Sequence, residues 1–375
     1  MPNFNVVLDT NIFRKSPSRS DLAFKALERL CKAGVCRLHL PYVVEREFQT
    51  QQMALYQKEL SASLAALEKV IRKGLPAVEL ATVTSLRDAV MAAEPVVLAA
   101  VEAELPEWAD SIGSVRHSIT EAAAQAAMEA YFCGHPPLTN PKIRDDIPDA
   151  FIFQTIKDIA PLGPTLIVVS EDEKMAKAAE TLPSVVVHRS LVSMIESGPI
   201  QTEILELDVI ENITNTAKVL RDYEAEYTEF RSHVTHQGGE KIVWETVHSS
   251  QIPDDNHEAT ISSYGDPEDV EVDFDGLSYF GSGQFGLPFE FRCTVEVTYY
   301  IFKSDYYCLD ETDMPSVTDH NDHYFEAEDE RVVHVSGTLR LSFPIESINT
   351  LAIETIEKHI KIEIDSIKAI DVVEN

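Results

Sequence analysis

The stretch Val6-Val7-Leu8-Asp9-Thr10-Asn11-Ile12-Phe13 decides how this chain folds. Three apolar residues suited to a buried strand stop at a carboxylate followed by two small polar residues. In open α/β sheets, functional groups collect in the crevice beyond the carboxyl ends of the strands, and Asp9 stands at such an end.

Outward from Asp9, Ser20 to Lys32 is predicted as a helix with Leu22, Ala26, Leu27 and Leu30 on one face, closed by Gly34. Val35 to Leu40 is a second strand, with Pro41 at its exit. A long helix then opens with Tyr42-Val43-Val44-Glu45-Arg46-Glu47-Phe48 and runs towards Ile71. Glu45 and Glu47 diverge on it by about 200°, so at most one faces the crevice. Residues 49–132 carry helical patterns punctuated by Gly74-Leu75-Pro76, Pro95, Pro106 and Gly113, an insert of several helices between the second and third strands. Trp108 and His117 within it are expected to be packed residues.

The loop Gly134-His135-Pro136-Pro137 leads through Lys142 and Arg144 to Asp145-Asp146-Ile147-Pro148-Asp149, where acids precede an apolar helix ending near Ile159. Thr165 to Val169 is a buried strand with Ser170-Glu171-Asp172 at its carboxyl end, a second version of the Asp9 arrangement. A helix over 173–180 and a strand over 185–188 follow. Strands alternating with helices predict a parallel sheet with right-handed crossovers. Ser197-Gly198-Pro199 marks a boundary, so the first domain is 1–198. A linking helix is expected over 199–236. Over 237–375 the apolar period becomes two, as in Cys293, Val295, Val297, Tyr299 and Ile301. That pattern predicts an antiparallel β-rich domain, a sandwich or an open barrel, with acidic loops at 266–276 and 310–330.

The charge supports two parts with different tasks. Residues 1–200 hold 20 Lys/Arg against 25 Asp/Glu, a balance of -5, and residues 201–375 hold 11 against 38, a balance of -27. The acidic part should repel nucleic acid, so contact with a polyanion falls to the first part, while the second suits a basic protein partner. The N-terminus shows no secretory signal and no apolar run approaches a membrane span. Five scattered cysteines suit free thiols in a reducing cytosol, so a cytoplasmic location is expected.

The candidate chemistry lies in Asp9, Glu47, Asp149 and Asp172, with Asp146 and Asp145 beside them. Carboxylates forced together repel unless a cation intervenes. Hard oxygen ligands select Mg²⁺ or Mn²⁺, and two such ions about 3.5–4 Å apart activate a water and stabilise a departing oxygen at a phosphodiester. Lys142 and Arg144 are candidates for flanking phosphates, or simply solvated cations. A phosphatase with an aspartyl nucleophile would want an acid where Asn11 stands, and a dinucleotide fold would want a Gly-rich turn that is missing.

Leu8-Asp9-Thr10-Asn11 resembles the opening signature of PIN-domain nucleases. Val43-Val44-Glu45-Arg46-Glu47-Phe48 is similar to their second segment, with Glu47 the ligand on that alignment and Glu45 the alternative. Pro148-Asp149-Ala150-Phe151 matches their helix-opening Asp-Ala, and Val169-Ser170-Glu171-Asp172 their last acidic segment. An acid three positions before Asp-Ala, here Asp146, is usual in a PIN-like branch with a Gly-x-Pro-Pro loop. The resemblance covers roughly residues 1–190. It implies a three-layer α/β/α sandwich and Mg²⁺- or Mn²⁺-dependent endonucleolytic hydrolysis of single-stranded RNA, with 5′-phosphate and 3′-hydroxyl ends. It also implies second-layer roles for Thr10, Asn11 and Ser170, a toxin-like or defence role, and pairing as a homodimer. A PIN-like binding or scaffold protein without catalysis is the alternative.

Overall fold

The computed structural model describes residues 2–208, 213–309 and 314–373. The chain divides into two compact units, 1–197 and 198–375. The first contains a five-stranded, wholly parallel sheet of β1 (Phe4–Leu8), β2 (Cys36–Pro41), β3 (Val115–His117), β4 (Leu166–Val169) and β5 (Val185–His188), ordered β3-β2-β1-β4-β5. Because β2 lies on one side of β1 and β4 on the other, the topological switch point falls between β1 and β4. Val6, Val7 and Leu8 are buried, as are all four residues of β4, which is why both strands read as unbroken apolar runs.

Helices α1 (Thr10–Lys15), α2 (Leu22–Lys32), α3 (Tyr42–Arg72), α4 (Ala77–Ser111), α5 (Glu121–Cys133), α6 (Ile147–Ile159), α7 (Glu173–Glu180) and α8 (Leu191–Ile195) complete this unit. Asp21 caps α2 by accepting from the Phe24 amide at 2.8 Å, and Gly134 ends α5 in the left-handed conformation. Trp108 packs edge-on to Phe13 and Phe24 with the Arg19 guanidinium over its ring.

Two features of the insert depart from the sequence pattern. Helix α4 runs unbroken through Pro95 and Pro106, because its Ala- and Val-rich flanks and its packing along α3 outweigh the two missing donors. The insert also supplies the three-residue edge strand β3, too short to show a period. His117 on it pairs with His39 at 2.8 Å, and His39 reaches Asn5 at 3.1 Å. Burial, then the neighbouring His117 and Arg37, pushes His39 down to about 4, so this string inside the sheet is uncharged. Arg116 grips Glu45 with two hydrogen bonds of 2.8 and 2.5 Å, tying β3 to the start of α3.

In the second unit, the stretch expected as one linking helix contains α9 (Gly198–Asp208), α10 (Ile213–Tyr227) and α11 (Glu229–Gln237). Asp208 accepts hydrogen bonds from the Tyr279 hydroxyl at 2.6 Å and the Ser282 amide at 2.7 Å. The strands are β6 (Thr246–His248), β7 (Glu258–Tyr264), β8 (Glu268–Val272), β9 (Ser278–Gly281), β10 (Gln284–Phe302), β11 (Ser316–Asp319), β12 (Tyr324–Ser342) and β13 (Lys361–Val372), with short helices α12 (Lys303–Tyr306), α13 (Ile345–Ile348) and α14 (Ile353–His359). All eight strands belong to one antiparallel sheet built on the 19-residue strands β10 and β12, and no second sheet faces it among the described residues. Phe285, Leu287, Phe289, Phe291, Cys293 and Val295 alternate inward along β10, and α11 packs against β8 and β13.

The tracts expected as acidic loops are partly sheet. Residues 268–272 form β8, and much of 310–330 belongs to β11 and β12, with 310–313 outside the described residues. Acidic side chains alternate towards solvent there, so a high Asp/Glu content does not oppose strand formation.

Replacing Arg116 with Ala leaves the buried Glu45 carboxylate without its partner and should cost about 1–3 kcal/mol in chemical denaturation. A Cβ at Gly337 would stand 2.5 Å from the Phe289 ring and 2.6 Å from the Ser366 carbonyl oxygen. Gly337→Ala should therefore destabilise the second unit by about 1–3 kcal/mol, read by the same denaturation.

Candidate active site

The ends of β1 and β4 are in register, Leu8 opposite Val169, so Asp9 and Ser170 leave the sheet side by side at the switch point. Asp9 caps α1, its Oδ1 accepting from the Thr10 amide at 2.7 Å. Its Oδ2 accepts from the Ser170 hydroxyl at 2.5 Å and the Asn11 side-chain amide at 2.9 Å. Three groups thus fix one carboxylate whose residue is only 6 % exposed. Burial raises its pKa and the bonds from Ser170 and Thr10 oppose this, while Glu47 and Asp172 add to the rise.

Asp172 caps α7, accepting from the Met175 amide at 2.7 Å, while its own amide donates to Ser170 Oγ at 3.1 Å. Asp149 lies in the first turn of α6. Three helix N-termini therefore each carry an acid, where the helix dipole favours negative charge. Glu47 comes from α3, its Oε2 accepting from the Thr10 hydroxyl at 2.7 Å and its Oε1 from Gln51 at 3.2 Å. Glu45 points elsewhere, into its pair with Arg116, as the helical angle between the two glutamates requires.

Asp149 registers the whole group. Burial, then Asp9, Asp172, Asp146 and Glu47, pushes its carboxyl up to about 7, despite the helix end beneath it. These five acids, separated by up to 163 positions from Asp9 to Asp172, feel one another electrostatically. The Asp145 side chain lies outside the described residues. Among the described residues, neither Lys142 nor Arg144 forms an ion pair, and Lys142 is fixed only by its amide, which donates to the Tyr131 carbonyl at 2.8 Å.

Sequence reasoning passed over two lysines. Lys174 reaches Asp146 at 3.2 Å from the first turn of α7, and Lys15 reaches Glu171 at 2.6 Å. Their signal is modest: Lys174 follows Asp172 by two positions at a helix start, where a cation is unusual.

The donors are carboxylates and hydroxyls, a hard set suited to Mg²⁺ or Mn²⁺ and not to soft metals. Among the described residues, no three His, Cys, Asp or Glu side chains already form a single coordination sphere. A Mg²⁺ ion uses one or two protein carboxylates and keeps the rest of its shell as water, so it does not require a three-ligand sphere from the chain. Asp9, Asp149, Asp172 and Glu47 are the residues that could hold it.

The PIN domain family model matches residues 6–175, a stretch that includes Asp9, Glu47, Asp146, Asp149 and Asp172. Neither a curated protein nor a solved structure matches the chain. All five cysteines are free, and no helix among the described residues is long and apolar enough to cross a membrane. With the family match over 6–175 and a parallel sheet that carries its acids at the switch point, the N-terminal unit of this chain is a PIN domain, a nuclease-type fold.

Proposed function

We propose that the chain is a Mg²⁺- or Mn²⁺-dependent endoribonuclease acting on single-stranded RNA, with its site at Asp9, Glu47, Asp149 and Asp172. The observation that carries this reading is the Asp149 carboxyl, pushed up to about 7 by burial and then by the four acids beside it. A group so placed is poorly suited to packing, and functional sites are where such perturbed carboxyls gather.

The chemistry a divalent cation supplies here is positive charge that offsets the carboxylates and polarises the scissile phosphate, on the two-ion pattern of phosphodiester hydrolases. The chain's own residues orient that chemistry. Ser170, Asn11 and the Thr10 amide hold Asp9 in one rotamer, and the Thr10 hydroxyl holds Glu47. The Lys174 ammonium neutralises part of Asp146 and so limits repulsion at the rim. Water adds to phosphorus and the 3′ oxygen departs, taking a proton, to leave 5′-phosphate and 3′-hydroxyl ends. The attacking water gives up its proton to solvent, and Asp149 would act as a ligand that orients the cation and the water. In this reading the acidic second unit engages a basic protein partner, and the family resemblance supports a toxin-like or defence role in the cytoplasm.

Cleavage of a labelled single-stranded RNA with Mn²⁺ should fall at least about 100-fold in Asp9→Asn and in Asp149→Asn. Undiminished cleavage in either variant, or a preference for matched DNA, rejects the assignment. Mn²⁺ titrated by calorimetry should bind the wild type at millimolar concentration or tighter, and Asp9→Asn should weaken it. A chain that binds no metal and cleaves nothing is the scaffold alternative. Induced expression should arrest growth, and Asp149→Asn should relieve the arrest.

Asp149 also sets a pH dependence in the metal-free protein. Its folded pKa is raised, so between about 4 and about 7 the folded state holds a proton the unfolded state has lost. Stability should therefore decline as pH rises through that window, by at most about 1.4 kcal/mol per unit from this group. Urea denaturation at several pH values should show a shallower decline in Asp149→Asn and a shallower one on adding Mn²⁺.

A further inference from the structure

Helices α3 and α4 pack together and are joined at Lys73–Pro76, but only their roots are buried. Val44, Glu45, Phe48 and Gln49 on α3, and Val101, Leu105 and Ala109 on α4, complete the list of buried residues for both helices. The roots are bolted down by Arg46 to Glu102 at 2.8 Å and by the Gln49 side chain to the Glu102 carbonyl at 2.6 Å. From residue 50 to residue 100 the pair is an arm about 35 Å long.

This arm is too apolar for solvent. Met53, Leu60, Leu64, Leu67 and Ile71 follow the spacing of a coiled-coil seam on α3, yet each stays only half-buried against α4. Outside the seam, Leu55, Leu86 and Met91 are exposed, with Val78 at 76 % and Val96 at 69 %. Residues 89–100, Ala-Val-Met-Ala-Ala-Glu-Pro-Val-Val-Leu-Ala-Ala, carry Glu94 as their single charge and are otherwise apolar around the helix, a pattern close to that of a buried helix.

The charges say what covers it. The arm holds Lys58, Lys69, Arg72, Lys73 and Arg87 against Glu59, Glu68, Glu79, Asp88 and Glu94, which is 5 against 5 in a chain of net charge -32. They are segregated: residues 50–73 hold 4 cations and 2 anions, a balance of +2, and residues 74–100 hold 1 and 3, a balance of -2. Under a two-fold axis, α3 of one arm meets α4 of another with opposite sign, so the arm is complementary to itself. Elsewhere two copies repel, since the remaining residues carry the whole of the -32. Two helices side by side present a face about 35 Å by about 20 Å, roughly 700 Å², close to the ~800 Å² per partner of a standard interface.

We propose that this arm is a dimerisation element that joins the same arm of a second copy in a four-helix bundle, the arrangement that closes both seams. The inference is independent of the nuclease reading, and its test involves no cleavage.

Sedimentation of the full chain at about 10 µM should give twice the mass of one chain. The exposed-site variant Val78→Glu/Leu86→Glu/Val96→Glu should keep the wild-type circular dichroism and associate at least about tenfold more weakly. Lys58→Glu/Lys69→Glu and Glu79→Lys/Asp88→Lys should each dimerise less well alone and recover when mixed one to one. A monomeric wild type, as when the second unit or another protein covers the arm, overturns the proposal. So does a triple variant that dimerises like the wild type, or a charge-reversed mixture no tighter than its components.

Discussion

Like charges confined at the end of a buried strand set the terms for the first unit. Five carboxylates surround the switch point between β1 and β4, and transfer of such groups out of water is costly unless charge or hydrogen bonds compensate. The fold supplies compensation from the backbone and from hydroxyls: three helix starts, the Ser170 and Thr10 hydroxyls, and the Asn11 amide. One lysine, Lys174, adds countercharge at Asp146. Burial and then the neighbouring acids still push Asp149 up to about 7, so that compensation is incomplete. Nothing in the packing of Ala150, Ile152 or Phe153, buried on the same helix, requires an acid at position 149.

The two units solve the placement of acidic residues differently. In the parallel sheet both faces are covered, so charge is pushed to the strand ends. In the antiparallel sheet one face remains for solvent, and Glu296, Glu326, Glu328 and Glu330 alternate with inward Val295, Val297 and Ala327. The same residue type is thus concentrated in one unit and spread out in the other. The arm of α3 and α4 is the exception to both patterns, being neutral and apolar on an otherwise acidic chain.

Local periodicity alone determined much of this protein. The apolar runs at Val6–Leu8 and 166–169, the capped helices after Asp21 and Asp172, and the change to period two beyond residue 237 each follow from which side chains fit which surface. The acids at positions 9, 149 and 172 were legible for the same reason, since each follows or opens an element whose end can be located from its neighbours. The helical angle was enough to say that Glu45 and Glu47 part company.

Only the tertiary structure decided which glutamate turns inward, because that depends on Arg116, 71 positions from Glu45 and on a strand too short to show a period. The same holds for β8 and β11, whose ladder partners on β10 and β12 lie outside any local window. The prolines of α4 were outvoted by packing along α3, an energy that no single-chain window contains. Lys174 acquired meaning only when α7 brought it to Asp146. A one-dimensional pattern records which face of an element is apolar; which other element meets that face, and what charge it brings, is a property of the folded chain.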